Sequence, residues 1–267
     1  MARQSLKHSI FPTWAYQVET AAMGSIGLSV ESISKKFAGK TALDNVSIRV
    51  GRSEVVGLLG RDGAGKTVTF YSILGLLRLN SGHIFLDGNE ITNLPLDRRA
   101  LRGLGYLPQE SSIFRGLTVE QNILTVLELF EPDPELRAQK LDDLLNEFHI
   151  EYVRHAPARA LSGGERRRCE IARAMAANPT IMLFDEPFAG IDPLSVRDIT
   201  AMIANLESHD VGILMTDQNV REMVDLLDRV YVLHEGRIVF SGTPDAMLDD
   251  KVVRHLYLGE EFHRANR

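Results

Sequence analysis

A chain of 267 residues with 44% hydrophobic and 25% charged content can bury a full core, and it fits one large domain, with or without an insertion, better than two independent ones. A formal net charge of −6 argues against a dedicated nucleic-acid binder, which needs a basic face. A single cysteine, Cys169, excludes an intrachain disulfide and suits a reducing compartment, where it reads as a small apolar residue inside a helix rather than a reactive thiol.

Residues 1–27 carry scattered charges and Pro12 rather than a basic segment followed by an unbroken apolar one, so no secretory signal is expected. They read as a poorly ordered extension, with Met23 as an alternative start; Phe11, Trp14 and Tyr16 leave docking open. Val46, Ile48 and Val50 alternate with polar residues, as in a half-buried strand, and the continuous apolar run 55–59 reads as a central strand buried on both faces.

Directly after that run stands Gly60-Arg61-Asp62-Gly63-Ala64-Gly65-Lys66-Thr67, which fits G-x-x-x-x-G-K-[ST]. Its glycines let the backbone curl so that successive N–H groups converge on phosphates, and the helix that follows presents the positive end of its dipole. The pattern predicts a nucleoside triphosphate with magnesium: Lys66 reaches the outer phosphates and the Thr67 hydroxyl ligates Mg²⁺. A plain glycine-rich turn is the alternative.

Further on, Asp87-Gly88 between two apolar stretches is a hairpin signal and predicts an antiparallel portion. Residues 119–150 turn helical, with a break at Pro132 and Pro134, so two or three helices are expected. Ser162 and Glu165, in Leu161-Ser162-Gly163-Gly164-Glu165, have capping-box spacing, which by itself needs no more than a well-capped helix. An apolar strand over 180–184 runs into Asp185-Glu186-Pro187. Strands return at 211–216 and 229–233, the first separated from the strand over 180–184 by a helix over 193–207 that Asp192-Pro193 caps and starts. Strands alternating with helices predict an α/β fold with a mostly parallel sheet covered on both faces. The longest apolar runs fall far short of the roughly 20 residues of a membrane-spanning helix. No histidine pairs with Cys169 in a zinc-like spacing, so magnesium is the one metal expected.

Taken in order, the phosphate loop, Gln109 after a short strand, the helical segment, LSGGE, the strand ending in Asp185-Glu186 and then Gly190-Ile191-Asp192 resemble the nucleotide-binding subunit of ATP-binding cassette (ABC) transporters. The resemblance covers about residues 28–260 and implies a P-loop NTPase of ABC type over 28–265, with an antiparallel β portion and an α-helical insert at about 110–179. It implies a homodimer in which two chains face head to tail, each ATP held between the phosphate loop of one and the LSGGE helix of the other.

By that resemblance the ATP-contacting residues are Phe37, stacking on adenine unless it is ordinary packing, Gly60 to Val68, and Ser162, Gly163, Gly164 and Glu165 from the opposite chain. Asp185 organises Mg²⁺ with Thr67 and Gln109, Glu186 is the general base, and Asp192 communicates across the dimer. Three stretches resemble the ATPases of lipopolysaccharide export most: 107–115, 188–193 and 216–222. Branched-chain amino acid importer ATPases come next, and both groups share Tyr257-Leu258-Gly259-Glu260. The implied place is the cytoplasmic face of the inner membrane, with Phe114 and Arg115 meeting a transmembrane permease, or Phe114 packing locally. An ABC ATPase of DNA repair or translation would add a coiled coil, a second cassette or a basic surface, and none is present.

The chain departs from the family at several points. Gln218 stands where a histidine contacts the γ-phosphate, Arg61-Asp62 where Pro-Asn is usual, and Val68 in place of a second hydroxyl residue. An amide can donate one hydrogen bond but carries no positive charge, so slower turnover, or in the limit a nonhydrolysing switch, is the expectation. Replacing Gln218 with His is expected to raise the ATPase rate of the assembled complex by less than about 10², since losing one preorganised donor outright costs on the order of 10² to 10³. An unchanged or lower rate would show that Gln218 is not the limiting defect.

Overall fold

Successive side chains of an extended chain point to opposite faces, and Val55–Leu59 uses this to serve two cores at once. Val55 and Leu59 join one apolar cluster, Val56 and Leu58 the other, and all five residues are buried. The computed structural model describes residues 27–207, 209–217 and 220–258. Most of the extension expected to be poorly ordered, Gln218, and Gly259 with Glu260 lie outside them.

The strands are β1 (Leu28–Phe37), β2 (Lys40–Val50), β3 (Val55–Leu59), β4 (Ser81–Leu86), β5 (Asn89–Glu90), β6 (Leu104–Leu107), β7 (Ile181–Asp185), β8 (Gly212–Thr216), β9 (Arg229–His234) and β10 (Arg237–Gly242). The principal helices are α1 (Lys66–Leu74), α2 (Leu96–Ala100), α3 (Val119–Phe130), α4 (Pro134–Glu147), α5 (Gly163–Met175) and α6 (Pro193–Glu207). One sheet has the order β10-β9-β3-β8-β7-β6, parallel except where β10 pairs antiparallel with β9; the other, β2-β1-β4-β5, is antiparallel. β7 and β8 repeat the division seen in β3: Met182, Phe184, Ile213 and Met215 face the helical cluster, while Ile181, Leu183 and Leu214 face the cluster shared with β1, β2, β4 and α1. Continuous apolar runs are therefore what strands covered on both faces require.

The hairpin turn forms as expected, with Asp87 and Gly88 at φ 48° and 75°, both in the left-handed region a two-residue turn demands. The Asp87 carboxylate then ties three segments together, accepting from Gly27 N (2.9 Å), Arg52 Nη2 (3.0 Å) and Thr180 Oγ1 (3.2 Å). The antiparallel part is nevertheless larger than that one hairpin, because β1 and β2 belong to it. In β1 the register shifts after Val30, Ile33 and Lys35, and Ser32 has φ 50°. Such bulges break strict alternation, so the strand left no clean period of two.

The helical expectation over 119–150 resolves into α3 and α4. Thr118 and Gln121 form a capping box at the start of α3, and Asp133 caps α4 with Pro134 in its first turn. Arg154 holds the pair together through Glu120 (2.5 Å) and Asp142 (2.7 Å). Asp192 accepts from Ser195 N (3.0 Å) at the start of α6. Among the described residues no helix is long and apolar enough to cross a membrane.

α1 ends at Gly75, whose φ of 78° favours glycine and where a Cβ would sit 2.8 Å from both Arg99 Nε and Leu94 O. Arg99, 2% exposed, fills that corner and donates to the carbonyls of Ser72 (2.9 Å), Ile73 (2.5 Å), Thr92 (2.7 Å) and Leu94 (2.8 Å). Burial pulls its pKa down to about 10, still far enough above neutrality to keep the guanidinium charged. Arg99→Met would leave buried carbonyls without donors, and a loss of about 3 kcal/mol in unfolding free energy is expected. Chemical denaturation measures it, and an unchanged midpoint would refute the capping role.

Candidate functional site

The carboxyl ends of parallel strands lie side by side, so residues just beyond β3, β6, β7 and β8 are brought to one edge whatever their separation in sequence. The phosphate loop follows β3, Gln109 follows β6, Asp185 ends β7 with Glu186 next, and Thr216 ends β8. Glycine is indispensable at two points of the loop. A Cβ on Gly60 (φ 152°) would stand 2.3 Å from Leu233 O, and one on Gly65 (φ 114°) would stand 2.9 Å from Leu43 Cδ2.

Lys66 is 8% exposed and folds back on the loop, donating from Nζ to Gly60 O (2.6 Å) and Arg61 O (3.2 Å). Gly63 has φ 77° and an unobstructed face, Ala64 is buried, and Arg61, Asp62 and Thr67 are exposed beside the half-buried Val68. α1 carries no acidic residue in its first turn, so nothing there neutralises the positive end of its dipole.

Asp185 and Thr216 are register partners between β7 and β8. The Thr216 hydroxyl donates to Asp185 Oδ1 (2.9 Å), and the Tyr106 hydroxyl makes a longer contact with Oδ2 (3.4 Å). Burial, then the Asp185 charge, push the Tyr106 phenol up, so it stays protonated and able to donate. Glu186 has φ 45°, a conformation non-glycine residues adopt at a cost of about 1–3 kcal/mol. Its N–H is held by Thr216 O (3.0 Å) and Oγ1 (3.2 Å), and its Oε2 accepts from Gln109 Nε2 (2.7 Å). Gln109, Asp185 and Glu186 are thus one bonded group with Thr216 and Tyr106, two residues the sequence reading did not assign to the site.

The LSGGE segment forms the expected capping box at the start of α5. Glu165 Oε2 accepts from Ser162 N (2.8 Å) and Ser162 Oγ (2.7 Å), while Oε1 accepts from the Tyr152 hydroxyl (2.7 Å). These bonds, Ser162 foremost, hold the carboxyl below its usual range. Ser162 and Gly163 are exposed, whereas Gly164 is buried where a Cβ would meet Ser195 Oγ at 2.4 Å. Among the described residues no hydrogen bond joins this segment to the phosphate loop.

Phe37 is 43% exposed, with Lys35 Nζ 5.0 Å from its ring centroid, so core packing does not account for it. Phe114 is 51% exposed on one side and carries the Arg173 guanidinium at 4.9 Å on its ring, so local packing accounts for part of its surface. Arg115 is exposed. Cys169 is fully buried with its thiol pushed up to about 12 by burial, as a packing residue should be.

A family profile described as ABC transporter matches residues 43–189. The chain is 51% identical over 249 residues to a probable ABC transporter ATP-binding protein of Azorhizobium caulinodans, covering 93% of this chain and 89% of that protein. It is 49% identical over 236 residues to the lipopolysaccharide export system ATP-binding protein LptB of Haemophilus influenzae, covering 88% and 98%. The fold superposes with a TM-score of 0.78 and 26% identity on the crystal structure of an ATP-binding cassette of an ABC transporter in its ADP conformation, covering 88% of this chain and 99% of that one.

Thr216→Val removes the hydroxyl shared by Asp185 and the Glu186 backbone while keeping the side-chain volume. A fall of about tenfold in ATP turnover is expected, equivalent to one lost hydrogen bond to a charged group. Steady-state hydrolysis beside a nucleotide-binding titration checks this, and full turnover would show that the hydroxyl does not organise the site.

Proposed function

The chain belongs to the ABC transporter family as an ATP-binding subunit, and on that premise we propose that it is the ATP-hydrolysing motor of a lipopolysaccharide exporter at the cytoplasmic face of the inner membrane. The observation that carries the hydrolytic reading is the bonded group of Asp185, Thr216, Glu186 and Gln109 beside the phosphate loop. The cargo assignment rests on 49% identity spanning 98% of an LptB relative.

In this reading Lys66 exchanges its loop carbonyls for phosphate oxygens, and the N-terminus of α1 supplies further donors and a favourable dipole. Thr67, Asp185 and Gln109 offer only oxygen donors, the set that suits a hard cation, and Mg²⁺ held there would offset phosphate charge. Glu186 orients the attacking water and accepts its proton. The 2.7 Å bond from Gln109 engages one of its two carboxylate oxygens, so the Gln109 loop sets the orientation of the base. Phe37 stacks on adenine with its exposed face.

The contacts to the γ-phosphate are completed by Ser162, Gly163, Gly164 and Glu165 of a second copy, because Ser162 and Gly163 are exposed and, among the described residues, this segment makes no hydrogen bond to the phosphate loop of its own chain. The result is a head-to-tail homodimer with two shared ATP molecules, joined to transmembrane permease subunits near Phe114 and Arg115. Gln218, Asp62 and Val68 make its turnover slower than that of relatives carrying the histidine. The domain runs over 28–265, with 110–179 as the helical insert.

Glu186→Gln is the decisive variant. General-base loss is expected to lower single-turnover hydrolysis by about 10² to 10⁴, and the variant with ATP should sediment as a dimer. Equal rates in the two proteins would instead identify a nonhydrolysing switch. Vesicles carrying the chain with its copurifying membrane proteins test the cargo: ATP consumption without release of lipopolysaccharide would overturn the export assignment.

A further inference from the structure

Arg167, Glu170 and Arg173 recur every three residues along α5 and so share one face. All three grip the segment that contains Gln109. Arg167 Nη1 donates to Pro108 O (2.9 Å), and Glu170 Oε1 accepts from Ser111 Oγ (2.7 Å) and Ser112 N (2.9 Å). Arg173 donates to Ser112 O (2.9 Å) and Ser112 Oγ (2.6 Å). Arg167 also reaches the other side of the site, its Nε donating to Pro187 O (3.0 Å) directly after Glu186.

Arg167 and Glu170 are paired at 3.2 Å and only 5% and 2% exposed. A buried ion pair is a poor way to gain stability, since well-packed apolar residues of similar volume serve as well or better. What apolar residues cannot do is hold donors and acceptors of two separate segments at fixed positions. Gln109 lies between the anchored Pro108 and Ser111, and Glu186 adjoins the anchored Pro187. Both partners of the 2.7 Å bond between Gln109 and Glu186 are therefore located by one buried pair.

We propose that Glu170 is a positioning residue for ATP hydrolysis: by clamping Ser111 and Ser112 it fixes where Gln109 meets Glu186. This rests on the reading of Glu186 as the general base. Glu170 is buried and bonds Ser111, Ser112 and Arg167, so it acts through the Gln109 loop, and its effect must disappear when Gln109 can no longer make its bond.

The test is a double-mutant cycle in the full chain, measuring kcat, KM, affinity for a fluorescent ATP analogue and thermal midpoint. Glu170→Gln is expected to lower kcat about tenfold, the scale set by misplacing a catalytic group by a fraction of an ångström, with analogue affinity unchanged. Ser111→Ala, an exposed substitution that removes one clamp bond, is expected to lower kcat about threefold without moving the thermal midpoint, and it carries the cycle alone if Glu170→Gln does not fold. In a Gln109→Ala background both decrements should vanish. Decrements that persist there undiminished, or that fall on affinity instead of kcat, overturn the proposal. Glu186→Gln separates the two levels: an active protein overturns the base assignment itself, whereas an inactive one with persisting decrements overturns the role of Glu170 alone.

Discussion

One hydrogen bond between neighbouring strands organises the carboxylates at the end of the parallel sheet. The Thr216 hydroxyl donates to Asp185 at 2.9 Å, and the register of β7 on β8 sets the two residues opposite one another. The same threonine receives the Glu186 N–H on its hydroxyl and its carbonyl, which maintains the positive φ of that residue and turns its carboxylate toward Gln109. Strand pairing, a fold-level property, thereby sets the positions of two adjacent carboxylates. Neither depends on a mobile side chain to find its place.

α5 extends this arrangement in two directions. Its first turn presents Ser162 and Gly163 outward, while its middle holds 108–112 and Pro187 through buried polar groups. A helix is stiff over this length, so a displacement felt at one end arrives at the other with little loss. The Arg173 guanidinium against Phe114 adds the exposed aromatic to the same rigid unit.

Local chemistry decided what could be read from the sequence. The phosphate loop was legible because glycines at Gly60 and Gly65 are required by approaches that no side chain survives, and because β3 is apolar at every position. The hairpin at Asp87-Gly88 and the caps of α5 and α6 were legible for the same reason, each needing only a few adjacent residues. β1 was not, since its register shifts erase the alternation a strand normally shows. Thr216, Tyr106 and Glu170 were equally silent. Each gains its role from a partner 31, 79 or 59 residues away, a relation that the fold creates. Arg167, Glu170 and Arg173 have the spacing of a helical stripe, but a charged stripe is ordinarily a solvated face, and only burial distinguishes this one.

The guanidinium at the end of α1 has one more effect. A triphosphate docking at the opposite end loads a nine-residue helix with several negative charges, and a helix so short could answer by fraying or sliding along its axis. With a fixed cation at its carbonyl pole, already bonded to Ser72 and Ile73, α1 has its negative end compensated and its last turn seated before any anion arrives. The strain of docking would then fall on softer parts, above all the loop whose carbonyls of Gly60 and Arg61 hold Lys66. Cargo transport would thus begin as a small rearrangement of one loop against an anvil that does not yield.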